Sequence, residues 1–116
     1  MKILVLDDSE ERLKAFARKY CNETVIFARH AKEAIEYIKE AKASGEMFDV
    51  IFLDHDLGGQ QMTWNEEDCG MTVVSYLVES GDSTKVIVHS FNFPRAKLMI
   101  EKLPNAVYLP GAWMEK

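Results

Sequence analysis

The stretch Phe48 to Gly59, FDVIFLDHDLGG, constrains the fold more than any other part of this chain. Its apolar run, Val50 to Leu53, stops abruptly at Asp54, His55 and Asp56 and is followed by a glycine pair. Such a run suits a strand buried on both faces at the centre of a parallel sheet, although periodicity alone also fits a short buried helix. In open parallel α/β sheets, ligands bind beyond the carboxyl ends of the strands. The carboxylates and imidazole at this exit therefore mark a candidate site.

The chain around this stretch repeats one pattern. Lys2 to Leu6, KILVL, is a strand-like run that ends in Asp7 and Asp8. Ser9 to Tyr20 then carries Leu13, Phe16, Ala17 and Tyr20 at helical spacing, and Asp8 and Glu11 are spaced as a capping box. Glu23 to Ala28 is rich in β-branched residues, and a helix follows with the stripe Ala31, Ala34, Ile35, Ile38 and Ala41, stopped by Gly45. Beyond the central strand lies a long polar loop, Gly58 to Gly70, and then a helix whose Val73, Val74, Leu77 and Val78 are expected to face the sheet. Lys85 to Val88 is the fourth strand and leads to His89 and Ser90. Pro94 stands in the first turn of a helix striped by Ala96, Met99, Ile100 and Leu103, and Ala106 to Leu109 is the last strand.

Strict strand-helix alternation implies an α/β, flavodoxin-like doubly wound parallel sheet with right-handed crossovers, strand order 2-1-3-4-5. A length of 116 residues suits a single domain over the whole chain. The chain ends where a fifth helix would begin, so the C-terminal helix is missing and one sheet face is under-covered. Trp113 and Met114 are expected to fold back over that face, or a second copy to cover it as a homodimer.

Composition excludes several classes of function. A net charge of -5 disfavours general binding to duplex DNA. The N-terminus lacks a signal-peptide core, and no apolar run is long enough to span a bilayer, so no membrane association and a cytoplasmic location are expected. Cys21 and Cys69 are too few for a disulfide framework and are expected to be free thiols.

The topology gathers Asp7, Asp8, Asp54, His55, Asp56, His89 and Ser90 at one sheet edge. Converging carboxylates repel unless a cation neutralises them, and oxygen donors of this kind suit Mg²⁺ or Mn²⁺. Asp7, Asp8 and Asp54 are the expected ligands, with the backbone carbonyl of Asp56 as a further one. Taken singly, Asp8 also reads as a helix cap and Asp54 as a solvated acid. His55 and Asp56 point to opposite sides if the strand continues. Ser90 can donate to a phosphoryl oxygen or bond nearby backbone. His55 and His89 are the candidates for proton transfer, because an unperturbed imidazole titrates near physiological pH. His30 reads as a surface residue and Asn92 as a helix cap. The long loop reads as a lid or as a disordered segment, with Trp64 packing onto the domain or stacking on a base.

These residues resemble the response-regulator receiver domain over nearly the whole chain: an acidic pair after the first strand (Asp7, Asp8), an aspartate ending the third (Asp54) and a hydroxyl ending the fourth (Ser90). The resemblance implies that Asp54 accepts a phosphoryl group with Mg²⁺ bound by the acidic pair. The last strand departs from that pattern. It ends Tyr108-Leu109-Pro110-Gly111, where a receiver carries a lysine. More narrowly, LDHDLGG, VIVHSFN and LPGAW resemble the cyclic-phosphate-processing receiver domains. That likeness implies a phosphoesterase acting on a cyclic or terminal phosphate, on a small molecule or an RNA terminus, in RNA repair. The alternatives are a single-domain response regulator phosphorylated on Asp54, or a degenerate receiver acting as a binding module.

Overall fold

The computed structural model describes residues 1–55 and 69–113. In chain order the elements are β1 (Lys2–Leu6), α1 (Glu10–Lys19), β2 (Thr24–Ala28), α2 (Ala31–Ser44), β3 (Val50–Leu53), α3 (Gly70–Glu79), β4 (Lys85–Val88), α4 (Phe93–Lys102) and β5 (Ala106–Tyr108). The strands form one parallel sheet in the order β2-β1-β3-β4-β5, as the alternating pattern requires.

Period-two alternation along each strand divides the core between the two faces. Leu4, Leu6, Ile51, Leu53, Val86 and Val88 point to the face covered by α2, α3 and α4. Ile3, Val5, Val50 and Phe52 point to the other face, where Leu13 and Phe16 of α1 meet them. A single helix cannot cover a five-stranded sheet, and the tail extends the layer. Ala112 is buried, Trp113 packs against this second cluster, and Lys19 Nζ donates to the Ala112 carbonyl at 2.7 Å. The cover stops short of the sheet edge, since Val107 and Leu109 remain 49% and 47% exposed. The expected return of Trp113 over the under-covered face is thus present, and Met114 lies outside the described residues.

Local signals place the helices. Ser9, not Asp8, caps α1, its side chain accepting from the Arg12 N–H. A hydroxyl one residue nearer the first turn reaches that N–H, which frees Asp8 from the capping role its spacing suggested. Gly45 ends α2 at φ +78°, and Asn92 caps α4 by accepting from the Arg95 N–H, with Pro94 in the first turn. In α3, Val73, Val74 and Leu77 are buried, whereas Val78 is 49% exposed because it lies one step off the buried arc. No helix among the described residues is long and apolar enough to cross a membrane. Both cysteines are free thiols, Cys21 exposed and Cys69 buried.

Candidate functional site

The register of the sheet builds the site. Leu6 of β1 lies opposite Leu53 of β3, which lies opposite Val88 of β4. The next residues along the three strands are Asp7, Asp54 and His89. The ladder continues through them, with the Asp7 N–H bonded to the Ala28 carbonyl, the Asp54 N–H to Leu6 and the His89 N–H to Leu53, each at 3.0 Å. All three side chains share the parity of Val5, Phe52 and Ile87 and emerge on the α1 side. Asp7, Asp54 and His89 are buried, and each places a ligand atom within 4.8 Å of the other two.

The carboxylates are neutralised by a residue that the sequence reading passes over. Arg12, in the first turns of α1, donates from Nε to Asp7 Oδ2 at 2.7 Å and from Nη2 to Asp7 Oδ1 at 2.8 Å. Nη2 also reaches Asp54 Oδ2 at 3.2 Å and lies 3.8 Å from Asp8 Oδ1. The signal for it was an arginine four residues after Asp8 on a helix that starts at the acids. His89 completes the cluster, with Nε2 2.9 Å from Asp7 Oδ2. A carboxylate only accepts, so Nε2 carries the hydrogen, and Nδ1 has no hydrogen-bond partner among the described residues. The His89 ring is enclosed by Phe16, Phe52 and Trp113.

The two buried acids are driven in opposite directions. Burial raises the Asp7 carboxyl, but hydrogen bonds from His89, Arg12 and the Ser9 N–H outweigh it and hold the group at about 2. At Asp54 burial dominates and is reinforced by the Asp7 charge. His89, Arg12 and the His55 N–H only partly offset them, and the group is pushed up to about 6. With the Asp54 carboxyl raised from 3.8 to about 6 in the fold, the protonated form is favoured, so the penalty is absent below about pH 4, grows as pH rises through about 6, and is full above that. Asp54→Asn is therefore expected to stabilise the metal-free protein by about 2–3 kcal/mol at about pH 8, at about 1.4 kcal/mol per pKa unit, with no gain at about pH 4. Urea unfolding of both proteins in chelator at the two pH values checks this, and equal stability at the higher pH contradicts it.

The residues of opposite parity go elsewhere. Asp8 is half-buried at the rim beside Arg12 and stands outside the close cluster, since consecutive side chains at a strand end diverge. His55 is buried on the α3 side, where its side chain hydrogen-bonds the thiol of Cys69, the residue that caps α3. Burial raises the Cys69 thiol, but the bonds to His55 and Thr72 outweigh it and lower its pKa. The Ser90 hydroxyl accepts from the Asn92 N–H at 3.0 Å, the local backbone bond open to it from the sequence, and its O–H hydrogen remains able to donate. His30 is exposed at the start of α2. Asp56 and the loop with Trp64 lie outside the described residues.

The donor set fits a divalent cation. Two buried carboxylates in register, with a third at the rim, are hard oxygen ligands of the kind that suit Mg²⁺ or Mn²⁺. A guanidinium now holds the same oxygens, which shows that they can share a positive charge.

The architecture is that of receiver domains. The chain resembles the signal receiver domain of an HD domain-containing protein from Pseudomonas fluorescens at 23% identity and a TM-score of 0.70, covering 97% of this chain and 83% of that one. It resembles the phosphorylated cyanobacterial phytochrome response regulator RcpA at 20% identity and a TM-score of 0.68, covering 96% and 80%. It also resembles the response regulator TrrA from Thermotoga maritima in complex with Mg²⁺ and beryllofluoride, at 17% identity and a TM-score of 0.67, covering 97% and 89%. At these identities the likeness is one of fold. Among curated proteins none matches the chain in sequence. The sequence model of the cyclic-phosphate processing receiver domain matches residues 2–105, and the chain belongs to that family.

Proposed function

We propose that this domain binds a divalent cation at Asp7 and Asp54, with Asp8 at the rim, and acts there as a phosphoesterase on a cyclic or terminal phosphate. The substrates would be a phosphate-bearing small molecule or an RNA terminus. The observation that carries this reading is the row of Asp7, Asp54 and His89, whose ligand atoms lie within 4.8 Å of one another at the carboxyl ends of adjacent strands. The family's name supports the substrate class.

Opening a cyclic phosphate consumes one water. Its oxygen bonds to phosphorus, one ester P–O bond breaks, and the proton lost by the water ends on the departing oxygen. The cation, when bound, would offset negative charge on the phosphoryl oxygens. The chain's own residues supply position and proton handling. Asp7 and Asp54 are held by the ladder, and Ser90 retains a donor hydrogen at the end of β4. Asp7 orients His89 through Nε2, leaving Nδ1 as the proton-accepting atom. His55 points to the other side of the sheet and is not paired with it.

Purified protein incubated with Mg²⁺ or Mn²⁺ and 2′,3′-cyclic nucleotides is expected to release the ring-opened monophosphate. His89→Ala should lower turnover by about 10²–10⁴-fold, the usual worth of positioned acid-base catalysis, whereas His55→Ala should lower it by less than about tenfold. An unchanged rate in His89→Ala removes the histidine from the chemistry. The second reading, a receiver phosphorylated on Asp54, draws on the position of that acid at the end of β3. A stable gain of one phosphoryl group from acetyl phosphate, without cyclic nucleotide turnover, would favour it.

A further inference from the structure

Arg12 does more in this pocket than a surface ion pair would. Its fork meets both oxygens of Asp7 and one of Asp54, while its own side chain is 29% exposed, against 0% for Asp7 and 8% for Asp54. The guanidinium thus forms the solvent side of the cluster, over one fully buried and one almost fully buried carboxylate. Its Cζ also lies 5.4 Å from the centre of the Trp113 ring, a contact independent of the acids. A group held from both sides has somewhere to rest if one set of partners is taken away.

An anion approaching the strand ends meets Asp7, Asp8 and Asp54, an unfavourable field unless cations balance it. Among the described residues, few cations stand there. The residues that follow the strands are Asp7 and Asp8, Arg29 and His30, Asp54 and His55, His89 and Ser90, and Leu109 and Pro110. Arg29 follows the outer strand β2, is paired with Glu10 and is half-exposed. Among the described residues, Arg12 is the cation that meets all three acids. The two parallel N–H groups that now grip one carboxylate match two oxygens of a phosphate equally well.

We propose that Arg12 is the phosphate-binding cation of this site, exchanging Asp7 and Asp54 for a phosphate group when a divalent cation takes over those carboxylates. The inference rests on the metal and phosphate reading above. It assigns Arg12 two opposed effects: competing with the metal in the empty pocket, and recruiting the anion in the loaded one. A residue of merely structural value would not show both.

The test uses the whole chain, with Mg²⁺ alone and then inorganic phosphate as probes. Mg²⁺ binding is measured by calorimetry for wild type, Arg12→Gln and Arg12→Lys, and phosphate binding by phosphorus NMR at saturating Mg²⁺. Arg12→Gln is expected to bind Mg²⁺ about tenfold more tightly and phosphate at least about tenfold more weakly, the scale of one charge-assisted hydrogen bond. Arg12→Lys keeps the charge but loses the fork, so it should fall between the two for phosphate. Mg²⁺ binding by Arg12→Gln but not by wild type would also support the exchange. Phosphate affinity unchanged in Arg12→Gln, or Mg²⁺ affinity lowered in it, would overturn the inference and leave the metal site standing. Absence of Mg²⁺ binding in all three proteins would remove the metal site and the inference together.

Discussion

Gly70→Ala is expected to cost about 3 kcal/mol of stability or more and to weaken divalent-cation binding at a site whose ligands it does not include. A Cβ on Gly70 would lie 2.1 Å from the Asp54 carbonyl oxygen, 2.9 Å from its carbonyl carbon and 2.8 Å from Met99 Cε. The methionine tip can move aside. The Asp54 peptide cannot move freely, because its N–H is bonded to Leu6 and the next carbonyl, that of His55, accepts from the Gly70 N–H at 3.0 Å. Alanine is the better helix former by about 1 kcal/mol, so propensity alone predicts stabilisation. The close approach reverses that sign, and relief must come from displacing either α3 or the peptide that aims the Asp54 carboxylate. Thermal unfolding together with Mg²⁺ calorimetry checks both parts. Wild-type values in both would show that α3 yields without cost.

Asp7→Ala should be destabilising by about 3 kcal/mol, the lower end for breaking a buried ion pair, because the surviving Arg12 keeps some contact with water. The substitution leaves the guanidinium without its bidentate acceptor and His89 Nε2 without a partner inside an aromatic enclosure. Its pH dependence runs opposite to that of Asp54. The Asp7 carboxyl sits at about 2 in the fold against 3.8 as its ordinary value, so its contribution is full above about pH 4 and is lost as pH falls through 2. The gap between wild type and Asp7→Ala should accordingly narrow in acid, where Asp54→Asn also loses its advantage. A midpoint drop on the order of 10 °C at neutral pH is expected for a chain of this size. A drop of only a degree or two would mean that Asp54 takes over Arg12 completely.

The architecture was readable in the residues because it depends on patterns that survive without knowing any partner. Four apolar runs ending in polar residues, each followed by a helical stripe, leave few topologies, and Gly45, Asn92 and Pro94 punctuate the helices as their backbone chemistry requires. The end of the sheet that carries the site was equally plain, since parallel strands all present their carboxyl ends to one edge. The division of that edge was not. Asp7, Asp54 and His89 form one row, while Asp8 and His55 turn away from it, and that follows from the Leu6, Leu53 and Val88 register rather than from any local spacing. A shift of one residue in either pairing would have exchanged the two sets. The place of Arg12 is likewise tertiary: a helical arginine beside two acids reads as a surface pair until the docking of α1 carries it to Asp54, forty-two positions further along the chain. The sequence by itself determined the sheet, its order and the polar edge, because burial and periodicity are local. Only the tertiary structure decided which of those polar groups face one another and which cation they share, because register and helix docking are set by contacts between distant segments.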